Sequence, residues 1–461
     1  MKMTTSIELL PWVWLVFAAA ALAAGCGRPS SRDGGRQEPL ALDAVAESYV
    51  KLVLAVGEHD EGYVDAYYGA PEWREQGGRS LDEIRAGAAD LLARLPVLPP
   101  ETEEPVKLRR TFLERQLAAL AARVDMLQGK RFSFDEESRA LYDAVVPAYD
   151  EAHFQAVLDE LDRLLAEQGF ETGTLIERYE AFRKQFIVPR ERLDAVFRTA
   201  VGACRERTAA HLELPEGESF DLEYVSDQAW SAYNWYQGDY RSLIQVNTDL
   251  PVYIDRVLDL ACHEGYPGHH VYNAMLEKTL VDGRGWVEYT VYPLYSPQSL
   301  IAEGSANFGI EMAFPGAERL AYERDVLFPL AGLDPEEAAA YDAVRQLVER
   351  LRYADNAAAR RYLDGEIDAR AAAEWLTRYA AMTPSRAEQR VRFIGQYRSY
   401  VINYTLGLDL VRDWVDREAG LDDAGDRRWE VFAELLSSPR LPGGLRSETL
   451  TPGPSPRGRG E

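Results

Sequence analysis

The sequence predicts a mainly α protein: a large helical domain with a small β-sheet next to its most histidine-rich segment. Three observations carry that expectation. Apolar residues recur at helical spacing from Leu40 to about Leu212 and again from Val252 to about Phe432, and capping signals open several of these segments. The stretch that loses the pattern, Phe220 to Asp249, is aromatic and poor in strong helix formers. At 461 residues, 46% apolar and 28% charged, the chain is long enough to bury a large core.

The N-terminal residues stand apart from this domain. Lys2 precedes an apolar run from Leu9 to Leu22, too short to span a bilayer comfortably, and "LAAGC" follows, ending at Cys26. The segment resembles a bacterial lipoprotein signal, which implies lipidation of Cys26 after cleavage, although Ala23 stands where Leu is preferred and Glu8 weakens the basic start. Residues 1–26 are thus read as a signal and 27–39 as a flexible tether. The domain runs over 40–445, with a helical part at 40–215 and a catalytic part at 216–445. Residues 446–461, rich in Pro, Gly and Arg, form an expected disordered tail. The expected location is the cell envelope, lipid-anchored on the periplasmic or outer face of a membrane.

Within the first part, "SLDEIRAGAADLLARL" opens with Ser80 and Glu83 in a capping box and lays Ile84, Leu91, Leu92 and Leu95 along one stripe. Ser133 and Glu136 repeat the box. Leu113, Leu117, Leu120, Val124 and Leu127 keep helical spacing, while "PVLPPETEEP" and "IVPRE" mark breaks. Between Phe220 and Asp249, short strands are expected, and "SLIQVNTD", Ser242 to Asp249, is a candidate edge strand for pairing with an extended peptide, or a plain structural strand.

Charge and cysteine content exclude some functions. The chain has 51 Lys and Arg against 76 Asp and Glu, a net −25, with no basic cluster of the kind that neutralises nucleic-acid phosphates. Cys204 and Cys262 alone follow the signal, too few for a disulfide framework, and Cys262 reads as a small core residue.

The chemistry concentrates in "LACHEGYPGHHVYNAM", Leu260 to Met275. Ile254, Val257, Leu258 and Ala261 follow a buried helical stripe that delivers His263 and Glu264 to its end, a costly place for polar groups without partners. In H-E-x-x-H sites two imidazoles one turn apart bind zinc and the intervening Glu activates water. Here the fourth position is Pro267. On an unbroken helix His269 would point about 120° from His263, and His270 would lie about 10.5 Å further along. Pro267 and Gly268 are expected to let the backbone bulge, returning His269 to the place of the missing ligand, with His270 as the alternative. Without such a bulge the segment is a polar helix end.

Glu303, in "SPQSLIAEGSANFGIEMAF", is the best third ligand: Gly304, Ser305, Ala306 and Gly309 leave room for close packing against the histidine helix, and Asn307 could accept a ring N–H from a ligating histidine. Two His and one Glu form a catalytic zinc set, open also to manganese, cobalt or iron. Tyr397, Tyr400 and Tyr404 are candidate oxyanion donors, with the buried aromatic as the commoner reading of each; the Tyr404-to-Gly407 spacing, which resembles that of the family described below, favours Tyr404 among them. The histidines His59, His153 and His211 occur singly, and Trp230, Tyr233, Trp235 and Tyr236 read as core.

"HEGYPGHH", the later "AEGSANFGIE" and "GQYRSYVINYTLG" together resemble the bacterial DUF885 family, over most of the chain after the signal. Ser305 departs from the Trp of many relatives. Members are similar to gluzincin-type metallopeptidases with largely helical folds. The resemblance implies His263, His269 and Glu303 as metal ligands, one zinc per chain, Glu264 as general base and a peptide substrate. The alternatives are a metal-dependent hydrolase of another amide or ester and a non-catalytic ligand-binding lipoprotein.

Overall fold

The computed structural model describes residues 41–446, apart from 75–77, 96–102, 229 and 421–424. The expected signal, tether and all but the first residue of the expected tail lie outside the described residues. The helices are α1 (Ala41–Gly57), α2 (Leu81–Arg94), α3 (Glu104–Leu127), α4 (Phe134–Tyr142), α5 (Glu151–Glu167), α6 (Leu175–Arg183), α7 (Arg190–Ala209), α8 (Ile254–Leu260), α9 (His269–Leu276) and α10 (Pro297–Ala313). After them come α11 (Ala317–Tyr322), α12 (Phe328–Ala331), α13 (Ala338–Glu349), α14 (Tyr353–Leu363), α15 (Ala369–Tyr379), α16 (Pro384–Tyr397), α17 (Ile402–Ala419), α18 (Asp426–Leu436) and α19 (Pro442–Leu445). The mainly α architecture is as the periodicity predicts. Both capping boxes form, Ser80 with Glu83 and Ser133 with Glu136. Leu113, Leu117, Leu120 and Val124 are fully buried.

The expected strands are β2 (Ser219–Val225), β3 (Ala232–Gly238) and β4 (Arg241–Asn247). They pair in the order β2-β4-β3, with β2 parallel and β3 antiparallel to β4. This corrects one expectation: Ser242 to Asn247 forms the central strand, so its backbone groups are already paired and no extended peptide can add there. Trp235, expected in the core, is 40% exposed, whereas Tyr236 is buried. The N-terminal part is helical almost throughout, as expected, and also carries a short strand. Strand β1 (Val64–Tyr67) pairs antiparallel with β5 (Val291–Pro293) and lies against β3.

The buried apolar side chains from Leu42 to Leu445 make one connected cluster that draws on both the N-terminal and the histidine-bearing parts. Buried ion pairs cross it. Arg109 of α3 donates to Glu288 just before β5, Nε to Oε1 at 2.5 Å and Nη2 to Oε2 at 2.9 Å, so two charges that would be costly alone satisfy one another. Cys204 of α7 and Cys262 meet, Sγ to Sγ at 2.6 Å, both fully buried, and burial pushes the Cys262 thiol well up. Cys262 is therefore a core residue, as its apolar helix implies.

The contact that matters most for the site is the crossing of α10 and α17. A Cβ on Gly304 would stand 2.4 Å from the Gly407 carbonyl, and one on Gly407 would stand 2.6 Å from the Leu300 carbonyl. Only two glycines permit so close an approach. Gly304 thus packs on α17, not on the histidine helix; Gly309 takes that role, its Cα facing the Pro267 ring. Upstream, buried Glu137 of α4 accepts from Arg398 Nε at 2.7 Å and from the Ser399 backbone at 3.1 Å. That grip fixes the left-handed Arg398 (φ 54°) and the turn that delivers Tyr400.

Candidate metal centre

Helix α8 ends in a π-helical turn, Ala261–Gly265, which carries His263 and Glu264. The chain then breaks at the cis Tyr266–Pro267 bond and restarts as α9 at His269. The expected bulge within one helix is therefore corrected to two helices meeting at a corner. The helix cannot run on because Pro267 lacks the N–H for it. Gly268 makes the corner possible, since a Cβ there would lie 1.8 Å from the His263 carbonyl oxygen.

The corner turns the two imidazoles towards each other. Their rings meet edge to face with centroids 4.7 Å apart, and Nε2 of His263 lies 3.1 Å from Nε2 of His269. Glu303, in the second turn of α10, places Oε2 at 3.3 Å from His263 Nε2 and 3.7 Å from His269 Nε2. Asn307, one turn later, accepts from His263 Nδ1 at 3.0 Å, and its own amide donates to the Tyr404 carbonyl at 3.2 Å. With its amide nitrogen so engaged, the Asn307 oxygen must face His263, so Nδ1 of His263 carries a proton and Nε2 is the ring nitrogen available to a metal.

Glu303 Oε2 is buried and has no hydrogen-bond partner among the described residues. The lone pairs of His263 Nε2 and Glu303 Oε2 thus converge with His269 Nε2 on one point. A tetrahedral ion with bonds near 2.1 Å spaces its ligands about 3.4 Å apart, close to the three distances found, so the donor set fits zinc. Glu303 Oε1 accepts from the Tyr400 hydroxyl at 2.7 Å, which aims the free oxygen. Burial opposes charge on Glu303, yet the two histidines hold its carboxyl well below the usual range; burial also opposes charge on His269, and Glu303 overrides it, pushing that imidazole up to about 9. Replacing Asn307 with Ala should free the His263 ring and weaken zinc binding about 10- to 100-fold, as read by competition with a chelator.

His270, the alternative ligand, points elsewhere. It is fully buried, its Nδ1 lies 2.9 Å from Ser242 Oγ of β4 and its Nε2 lies 3.0 Å from Oε2 of Glu218, the residue before β2, so both nitrogens are engaged. Glu264 is buried at the centre, its side chain making no hydrogen bond among the described residues while its carbonyl accepts from Asn234 at 2.7 Å. Burial raises its carboxyl pKa, and His263 and His269 offset part of the rise. Of the three tyrosines, Tyr400 is tied to Glu303. Tyr404 keeps a hydroxyl with no hydrogen bond among the described residues and feels the charges of Glu303 and Glu264. Tyr397 shows no such link to Glu303 or Glu264 among the described residues.

Sequence reasoning missed Asp65, on β1. Its Oδ1 accepts from the Tyr233 hydroxyl, Oδ2 takes no hydrogen bond among the described residues, and burial, with Glu303 and Glu264, pushes its pKa up to about 6 against the pull of Tyr233 and His269. The alternation of Tyr63, Asp65 and Tyr67 in "GYVDAYYGAP" was the available signal.

No family model matches the chain, and no curated protein matches it either. A solved structure shares its fold. A crystal structure of a protein described as a lipoprotein, from Colwellia psychrerythraea, is 16% identical with a TM-score of 0.50, covering 79% of this chain and 68% of that one. A protein described as a lipoprotein of unknown function, from Shewanella oneidensis, is 14% identical with a TM-score of 0.42, covering 79% and 74%.

Proposed function

We propose that the protein is an exported, zinc-dependent metallopeptidase in which His263, His269 and Glu303 hold one zinc ion. The observation that carries this reading is the convergence of their three ligand atoms, all within 4.8 Å of one another, around an orphaned buried carboxylate oxygen. Two imidazoles and one carboxylate leave a tetrahedral ion one open position, the mark of catalytic over structural zinc. When bound, zinc supplies acidification of water and polarisation of the substrate carbonyl.

The remaining roles fall to side chains of this chain. Glu264, unengaged and raised in pKa by burial, takes the proton of the attacking water and returns it to the departing amine. Tyr404 offers its free hydroxyl to the developing oxyanion, since Tyr400 is spent on Glu303. The resemblance of "HEGYPGHH" and "AEGSANFGIE" to DUF885, and through it to gluzincins, supports the same assignment. "LAAGC" supports export and a lipid anchor on Cys26 at the cell envelope. Among the described residues no helix is long and apolar enough to cross a membrane.

The test uses the chain from Gly27, which retains every described residue. About one zinc per chain by elemental mass spectrometry, with peptide cleavage lost on chelation and restored by zinc, is the expected result. Turnover of esters or amides but never peptides would move the reading to another metal hydrolase. Tight metal without exchangeable water or turnover would leave a ligand-binding lipoprotein.

A further inference from the structure

Two thiols adjoin the candidate centre. Cys204 lies on α7, and Cys262 lies in the π-helical turn one residue before His263. Their Sγ atoms are 2.6 Å apart and both side chains are fully buried. The chain has 3 cysteines, so with Cys26 set aside for the expected lipid each of these has the other as its one possible partner within the chain. Helix α7 grips the same corner again through the next residue. Arg205 Nη2 donates to Glu218 Oε1 at 2.6 Å, and Glu218 Oε2 accepts from the Tyr266 hydroxyl at 2.5 Å and lies 3.0 Å from His270 Nε2. Cys204 thus touches the chain just before His263, while Arg205, through Glu218, holds Tyr266 and His270, which bracket His269.

A corner made of a π-helical turn and a broken helix lacks the regular backbone bonds that steady an α-helix, so its shape depends on such side-chain ties. The ionic tie runs through Arg205, whose side chain is 52% exposed, and a solvated ion pair contributes little. The sulfur contact is dry, and as two thiols it supplies a weak hydrogen bond at most. Joined covalently, the same two atoms would be the firmest tie the corner has. The sulfurs already meet in the folded chain, which is the condition a bridge sets.

We propose that Cys204 and Cys262 are joined by a disulfide in the exported protein, and that this bond fastens α7 to the turn that presents His263. It rests on the export reading and is independent of whether a metal is bound, because disulfides persist in an oxidising cell envelope and not in a reducing cytosol. The oxidant is itself a disulfide, RSSR. One cysteine thiolate attacks it and expels RS⁻; the other then attacks that mixed disulfide, forms the Sγ–Sγ bond and expels the second RS⁻. Two protons and two electrons leave the pair and appear in two RSH. Since neither sulfur is exposed in the folded chain, exchange runs during folding, before α7 closes over the turn, and the finished bond lies out of reach of reductants in the native protein.

The test uses the wild-type chain with its own signal, isolated from the envelope without reductant, denatured in iodoacetamide and digested. The expected product is one species that holds residues 204 and 262 and is two hydrogens lighter than the two thiol peptides together. Dithiothreitol should release the thiols from denatured protein and fail on native protein. The chain from Gly27 made in a reducing cytosol supplies the dithiol form, which should melt about 3 to 8 °C lower. Its turn, Ala261–Gly265, should exchange amide hydrogens about 10-fold faster. Alkylation of both cysteines in envelope protein would overturn the bond, and equal Tm and exchange in the two forms would overturn its bracing role. Fractionation reads export separately. A chain absent from the envelope removes the export reading, and the Gly27 chain made in cells with an oxidising cytosol then decides the pair: linked peptides uphold the bridge and alkylated cysteines overturn it. Zinc content of the same samples reports on the metal reading alone.

Discussion

Glu264→Gln is expected to retain about one zinc per chain and to lose peptide turnover by about 10²- to 10⁴-fold, the range over which a positioned general base acts. The structure makes this substitution clean. Glu264 supplies none of the three converging ligand atoms, and its carboxylate makes no hydrogen bond among the described residues that an amide would break. Gln has the same shape and removes an ionisable group from a buried place, so the fold should be unharmed or slightly steadier. The readouts are zinc content, Tm and kcat on one preparation. A variant with full zinc and undiminished kcat would take the base role away from Glu264 and leave the metal assignment standing. A variant that loses zinc as well would show that the carboxylate reaches the ion.

What was legible in the sequence follows the range of the interactions involved. Helices declare themselves through neighbours three and four residues apart, and caps such as Ser80 with Glu83 are settled within one turn, so both were readable and both are present. The second-turn link from Glu303 to Asn307 was readable for the same reason, and Asn307 does face a histidine. Long-range pairing was not. Strand β1 is four residues long and finds its partner Val291–Pro293 more than 200 positions away, so no local pattern announced it and Asp65 went unseen. The central position of β4 depends on β2 arriving from the far side of β3 in sequence, which hydrophobic alternation does not encode. At "HEGYPGHH" the residues demanded a deformation, and they could not say whether the helix would bulge or end. The answer lies in the Gly268 backbone, pressed against the His263 carbonyl.

Glu303→Ala is expected to reduce zinc to well below one per chain, although both histidines remain. Two imidazoles with Nε2 atoms 3.1 Å apart offer lone pairs but no negative charge, and burial keeps the hydroxyls of the neighbouring Tyr400 and Tyr404 protonated. A dication brought into such a place needs at least one formal negative charge among its ligands, and Glu264 supplies none of the three converging atoms. Tyr400→Phe separates charge from aim. It removes the 2.7 Å hydrogen bond to Glu303 Oε1 and leaves the carboxylate itself, so zinc should be weakened about 10-fold and not abolished. Chelator competition on the two variants checks the order. If Glu303→Ala still held one zinc as tightly as wild type, the ion would have to draw its charge from Glu264. The site would then lack an uncommitted base, and the metallopeptidase reading would lose its chemistry even with the metal in place.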